Sequence, residues 1–174
     1  MKCLKGKSVL LRALEPTDLE ILYQWENDPE VWTISNTQTP YSKYMLKKFI
    51  DASVQDIYTS KQLRLMMEEI DSGKVVGIFD FFDYEPFHGR IGVGILIDKD
   101  FRQKGYAKEG LRLIKDYAFN VLRVHQIYCN VLQSNEISLN LFQQEGFTIA
   151  GIKKEWVKTE AGWEDEALLQ IVEI

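Results

Sequence analysis

The sequence predicts an α/β fold of the α+β kind, with seven strand-like runs and four helical ones along one continuous chain. Three observations predict it. Residues 90–97 alternate Ile91, Val93, Ile95 and Ile97 with Gly92, Gly94 and Leu96, the two-residue period of a strand. Ala107, Leu111, Ile114, Ala118 and Val121 then step by three and four residues, the period of an amphipathic helix, while Lys108, Glu109, Arg112, Lys115 and Asp116 take the opposite side. A length of 174 residues suffices for one sizeable core, so a single domain is expected over residues 1–174.

The elements follow in order. Residues 8–14 form a first strand, closed by Glu15-Pro16, and Pro16-Thr17-Asp18 opens a helix that carries Leu19, Leu22, Tyr23 and Trp25 to a break at Asn27-Asp28-Pro29. Trp25 and Trp32 are expected to pack, whereas Glu26, Asn27, Asp28 and Glu30 are candidates for the wall of an acceptor pocket. Residues 35–40 are polar and turn-rich, and residues 42–55 return to helical spacing. Residues 63–70 and 75–82 form strands joined by Asp71-Ser72-Gly73-Lys74, where the glycine supplies a positive φ; the second strand is nearly all apolar and is expected to be central. Residues 83–89 turn back into the strand 90–97.

After the long helix come a strand at 126–132, a short helix capped by Ser134-Asn135 and stopped by Gly146, and strands at 148–157 and 167–174 around a turn at 159–163. Repeats, linkers and low-complexity segments are absent from the sequence.

Composition narrows the function. A hydrophobic fraction of 45% and a charged fraction of 27% are those of a soluble globular chain. A net charge of -5 argues against a broad nucleic-acid-binding face and biases the chain toward cationic ligands. Cys3 and Cys129 are too few for a disulfide framework and are expected as reduced thiols; no Cys/His spacing suggests a metal. The short apolar run near the start is interrupted by Arg12 and fails as a signal peptide or membrane span, so a cytoplasmic location and no membrane partner are expected.

The chemistry concentrates between residues 90 and 122. Two glycines on one side of a strand weaken it but let a bulge form or a ligand approach the backbone. The turn that follows carries Arg102, Lys104 and Gly105 and opens the long helix. Free amides at a helix start, the positive end of its dipole and two cationic side chains make an anion site suited to phosphate.

At this point the residues become recognisable. Arg102-Gln103-Lys104-Gly105-Tyr106-Ala107 resembles the (Gln/Arg)-x-x-Gly-x-(Gly/Ala) signature of the GCN5-related N-acetyltransferases, and Asn135, Ser138, Phe142 and Gly146-Phe147 resemble a second signature of that family. Trp25 with Asn27-Asp28-Pro29-Glu30-Val31, and Gly162-Trp163-Glu164-Asp165 following Gly151, resemble the branch holding ribosomal-protein alanine and spermidine/spermine acetyltransferases. The resemblance implies the acetyltransferase fold: a mixed, mostly antiparallel sheet of seven strands with helices on both faces. It implies acetyl-CoA as acyl donor, with the backbone of Ile95, Leu96 and Ile97 pairing the pantetheine arm. Amides of Gln103, Lys104, Gly105, Tyr106 and Ala107, beside Arg102, would hold the pyrophosphate; Asn135 and Phe142 would face the arm.

The implied acceptor is a primary amine, either a polyamine-like small molecule or a protein amino terminus, with the chain a monomer or homodimer and no metal required. Alternatives are a non-catalytic acyl-CoA-binding module and a nucleotide-binding regulator using the same turn. Phe142 stands where many relatives carry a tyrosine acid, and Gly92 where relatives of this branch often carry a glutamate, so neither supplies a proton carrier. Glu85, Tyr128, Ser138 and Glu155 are the remaining catalytic candidates. His88 and His125 stand alone and are assigned no role.

Overall fold

The computed structural model describes residues 4–35 and 37–173. Cys3 and Ile174, and Asn36 within the turn-rich segment, lie outside the described residues. The elements are β1 (Val9–Ala13), a 3-10 turn (Pro16–Asp18), α1 (Leu19–Glu26), α2 (Pro29–Ser35), α3 (Lys43–Ala52), α4 (Ile57–Ser60), β2 (Leu63–Glu69), β3 (Val75–Glu85) and β4 (Arg90–Ile97). They continue as α5 (Tyr106–Asp116), β5 (Gln126–Leu132), α6 (Glu136–Gln144), β6 (Thr148–Thr159) and β7 (Gly162–Val172).

All seven strands form one sheet in the order β1-β2-β3-β4-β5-β7-β6. Every neighbouring pair is antiparallel except β4 and β5, which run parallel. The mixed, mostly antiparallel sheet with helices on both faces is therefore as expected. Among the described residues, no helix is long and apolar enough to cross a membrane.

The sheet is buried on both faces. On one, Phe79, Phe81, Ile91, Val93 and Ile127 pack with Leu111, Ile114 and Ala118 of the long helix and with Phe142. Gly110 permits the close approach: a Cβ there would lie 2.4 Å from the Phe79 ring. On the other face, Leu22, Trp25, Leu46 and Ile50 of α1 and α3 cover Met66 and Ile78, with Leu96 of β4 alongside. The strand alternation thus divides β4 between two cores, Ile95 and Ile97 to the first and Leu96 to the second.

Three helical features depart from the sequence pattern, one of them the short α4, which falls between the helix expected over 42–55 and the strand expected over 63–70. Asn27-Asp28-Pro29 ends α1 but also starts α2, because Asp28 Oδ1 accepts from the Glu30 amide and Pro29 takes the first helical position, where its missing N–H costs nothing. In the long helix, residues Tyr117–Val121 widen into a π turn. The register slips there, so Val121 is 44% exposed instead of joining Leu111 and Ile114, while Val124 is buried.

The expected cap and stops appear: Asn135 accepts from the Ser138 amide, and Gly73 and Gly146 adopt positive φ at the hairpin and helix stop. Ser42, not singled out by the sequence, caps α3 by accepting from the Met45 amide. Buried Glu145, just past α6, accepts from Arg112 and Lys115 and so ties α6 to α5. The two last strands are longer than the sequence suggested and close on a tight turn at 160–161.

Candidate functional site

The ladder between β4 and β5 has only three rungs: Arg90 with Gln126, Ile91 with Ile127 and Gly92 with Tyr128. Beyond Gly92 the two strands part, since β4 continues to Ile97 against β3 while β5 continues against β7. Backbone groups of residues 93–97 on the β5 side therefore border a gap, an open strand edge able to bond an extended ligand. Ile95, Leu96 and Ile97 all lie on it.

At the open end of this gap stands the start of α5. Gln103 and Gly105 both adopt left-handed backbone, at φ 63° and 82°, so the turn curls and its amides point inward. No side chain caps the helix, and a Cβ on Gly105 would meet nothing within 4 Å. The first-turn amides, including those of Tyr106 and Ala107, lack intrahelical partners by construction. Arg102 folds back so that its Nε donates to the Ile97 carbonyl at 3.2 Å, and Lys104 Nζ lies 4.6 Å from the Phe101 ring centroid. Tyr106 donates its hydroxyl to Glu69, away from the helix start. The result is an open, positively biased cradle at one end of a bare strand edge.

The glycine pair on β4 does less than the sequence suggested. A Cβ on Gly92 would fall 2.3 Å from the Phe82 ring, so that side is filled by an aromatic ring and is closed to a ligand. Gly94 alone stays open, with Asp80 Cβ its nearest neighbour at 3.9 Å. Phe82 in turn meets Tyr128 edge-on, with centroids 5.7 Å apart. The blind end of the gap is thus built by Gly92, Phe82 and Tyr128.

Tyr128 Oη donates to Asp83 Oδ2 at 3.2 Å. Burial, then the Asp83 charge, pushes its pKa up to about 12, so the hydroxyl keeps its proton at neutral pH. Both residues line a cavity of about 600 Å³ with Lys61, Glu85, Arg90 and Gln126. A smaller cavity of about 140 Å³, lined in part by Gln24, Trp25, Asp28, Asp98 and Arg102, sits where α1 meets the end of β4. There Trp25 Nε1 donates to Asp98 Oδ2 at 2.8 Å and anchors α1 on the strand.

The candidates from the sequence separate accordingly. Tyr128 and Glu85 come together in the large cavity. Ser138 is half-buried on α6, its amide spent on the Asn135 cap. Asn135 combines that cap with a half-buried position at the start of α6. Phe142 is 4% exposed, its ring edge-on to Phe147 at 5.0 Å, and serves the core. Glu155 sits exposed on a bulge of edge strand β6, with β7 and β5 between it and β4.

Among the proposed acceptor-wall residues, Glu26 pairs with Arg64, which also makes a bidentate contact with Asp80 at 2.7 and 2.8 Å. Asn27 is engaged in bonding Tyr23 and Tyr41, and Glu30 is exposed. Asp83, Lys61 and Arg90 escaped the sequence reading; the positive φ of Asp83, at 49°, has no signal in its neighbours.

A parallel strand pair prised apart beside an uncapped helix start defines a class of protein: one that holds an extended ligand with a phosphate group at one end. The chain belongs to the acetyltransferase (GNAT) domain family, whose model matches residues 8–148. It is 28% identical to a probable N-acetyltransferase, YjcK, of Bacillus subtilis (strain 168), over 97% of this chain and 96% of that one. It is 27% identical to the spermidine N(1)-acetyltransferase of Escherichia coli (strain K12), over 83% of this chain and 75% of that one. The solved spermidine N-acetyltransferase from Vibrio cholerae, in complex with CoA and spermine, superposes with a TM-score of 0.88 at 21% identity, covering 96% of each chain.

Proposed function

We propose that the protein acetylates the primary amine of a small molecule, with acetyl-CoA as donor, at the junction of Gly92 and Tyr128. The observation that carries this reading is the open β4 edge, which runs from the cradle at Gly105 to the blind end at Tyr128. Five residues of strand span roughly 17 Å, a length matched to an extended arm. The solved relative described with CoA, and relatives named for spermidine, support the donor and the amine class.

When bound, acetyl-CoA supplies an acetyl group activated as a thioester. The residues of this chain do the rest. Amides of Gln103 to Ala107, beside Arg102 and Lys104, hold the diphosphate, and the backbone of Ile95, Leu96 and Ile97 fixes the arm against β4. The acceptor arrives as an ammonium, and with an amine pKa near 10.4, freeing its lone pair costs about 4–5 kcal/mol at neutral pH. Asp83 and Glu85 hold that proton, directly or through water, which shares the cost. The C–N bond forms as the C–S bond breaks, the Tyr128 hydroxyl donates to the departing sulfur, and the second proton lost by the amine nitrogen restores that hydroxyl. Overall one proton is released.

Thiol release on mixing acetyl-CoA with a panel of primary amines tests the reading. Acceptor-dependent thiol is the expected result. Tight binding of acetyl-CoA with no such thiol favours the non-catalytic module instead.

A further inference from the structure

The large cavity carries two carboxylates and two cations. Asp83 and Glu85 stand on β3 and its bulge, Arg90 opens β4, and Lys61 precedes β2. Because β3 lies between β2 and β4, the acids are flanked on both sides by the cations. Glu85 and Arg90 even face each other as cross-strand partners.

Lys61, Asp83 and Arg90 are exposed and Glu85 is half-buried, and none of these four forms an ion pair with another among the described residues, so all four face the open cavity. Three of them make other contacts. Asp83 accepts from Tyr128, Glu85 from the Phe87 amide at 3.3 Å, and Lys61 Nζ lies 6.0 Å from the Tyr84 ring centroid. Lys61 and Asp83 both adopt left-handed backbone, at φ 58° and 49°, and the Tyr84 amide donates to the Lys61 carbonyl between them. Lys61 is the left-handed C-cap of α4 and Asp83 lies in the β3 bulge, so helix end and bulge together set these two charges on one cavity wall.

We infer that the acceptor is an amine that also carries a carboxylate, of the amino-acid kind, its ammonium received by Asp83 and Glu85 and its carboxylate by Arg90 and Lys61. This rests on the acetyl-transfer reading above and deepens it. A wall of net charge zero gives no advantage to a polycation: Lys61 and Arg90 repel each additional ammonium, whereas a carboxylate on the acceptor is attracted by both. The amine end belongs nearest Tyr128, where Asp83 is already bonded.

The test compares L-lysine with 1,5-diaminopentane, the same chain without its carboxylate, and with spermidine, using acetyl-CoA-dependent thiol release. The expected result is a kcat/KM for lysine at least tenfold above that for the diamine. Arg90→Gln and Lys61→Gln each lower this ratio threefold or more, and Arg90→Lys restores it. Preference for the diamine or spermidine, or a ratio indifferent to both glutamine variants, overturns the inference while acetyl transfer stands. If no amine yields thiol, both readings fall together. Should one variant unfold, the other supplies the same ratio.

Discussion

Gly92 of β4 and Tyr128 of β5 form the last rung between two parallel strands, and that single pair decides where the gap along β4 ends. Phe82 lies across both, filling the space above Gly92 and meeting the Tyr128 ring edge-on. Chemistry proposed at this point depends on three residues brought from three strands.

The first prediction concerns Gly92. Gly92→Glu installs the residue that relatives of this branch often carry, but here its Cβ collides with the Phe82 ring. Displacing the ring costs about 1–3 kcal/mol. Denaturant midpoints are expected to fall accordingly, and an unchanged midpoint shows that the ring swings away freely.

Tyr128→Phe removes the hydroxyl while keeping the ring stack. Turnover with the best amine is expected to drop by roughly 10²-fold, with the affinity for acetyl-CoA held, since the cradle lies at the other end of β4. A variant as fast as the parent assigns the proton to another donor.

At the cradle, Gly105→Ala forces a side chain into left-handed backbone, which costs about 1–2 kcal/mol. The new methyl group enters open space at the helix start. Calorimetry is expected to show acetyl-CoA binding weakened about tenfold. Gly162→Ala, also at positive φ with nothing nearby but far from the cradle, provides the control: stability falls and affinity holds.

Arg64→Met strands two acids. Burial lowers the Arg64 pKa, but the charges and hydrogen bonds of Asp80 and Glu26 outweigh it and hold the net value above the ordinary one. Breaking a buried pair costs 3–5 kcal/mol, and the lower end, about 3 kcal/mol, applies here because the Asp80 side chain is 35% exposed. Chemical denaturation measures it.

Glu145 gives a pH dependence. Burial raises its pKa, yet the bonds from Arg112 and Lys115 prevail and hold it below 4.5. A depressed folded value means that the stabilisation is present above the unfolded pKa and is lost as pH falls through the folded one. The stability gap between the parent and Glu145→Gln is therefore expected to be constant above about pH 6 and to close progressively below pH 4.5. A gap independent of pH down to 3 contradicts the assignment.

Much of the fold can be read from neighbours in the chain. The alternation of residues 90–97, the helical stride from Ala107, the cap at Asn135 and the stop at Gly146 all appear in the structure. α2 was missed because a proline after an aspartate reads as a break, although it also makes a helix start. Val121 was misplaced because a π turn leaves no mark in the periodicity that precedes it.

The site was legible in part. The turn at Gly105 is a local motif, so the glycine turn and the helix start proposed to hold phosphate were both visible. The Gly92 position was misread as open, since only the β3–β4 register brings Phe82 over it. Glu155 matched Glu85 as a candidate by residue type, and only the sheet order put it on the far edge.

What the sequence determined by itself is the family, the strand order, the main helices and the glycine turn that opens α5, because those depend on residues within a few positions of one another. The tertiary structure alone decided that Lys61, Asp83, Glu85, Arg90 and Tyr128 share one cavity. Strand pairing joins residues far apart in the chain, and the resulting balance of charge depends on register, which no local pattern records.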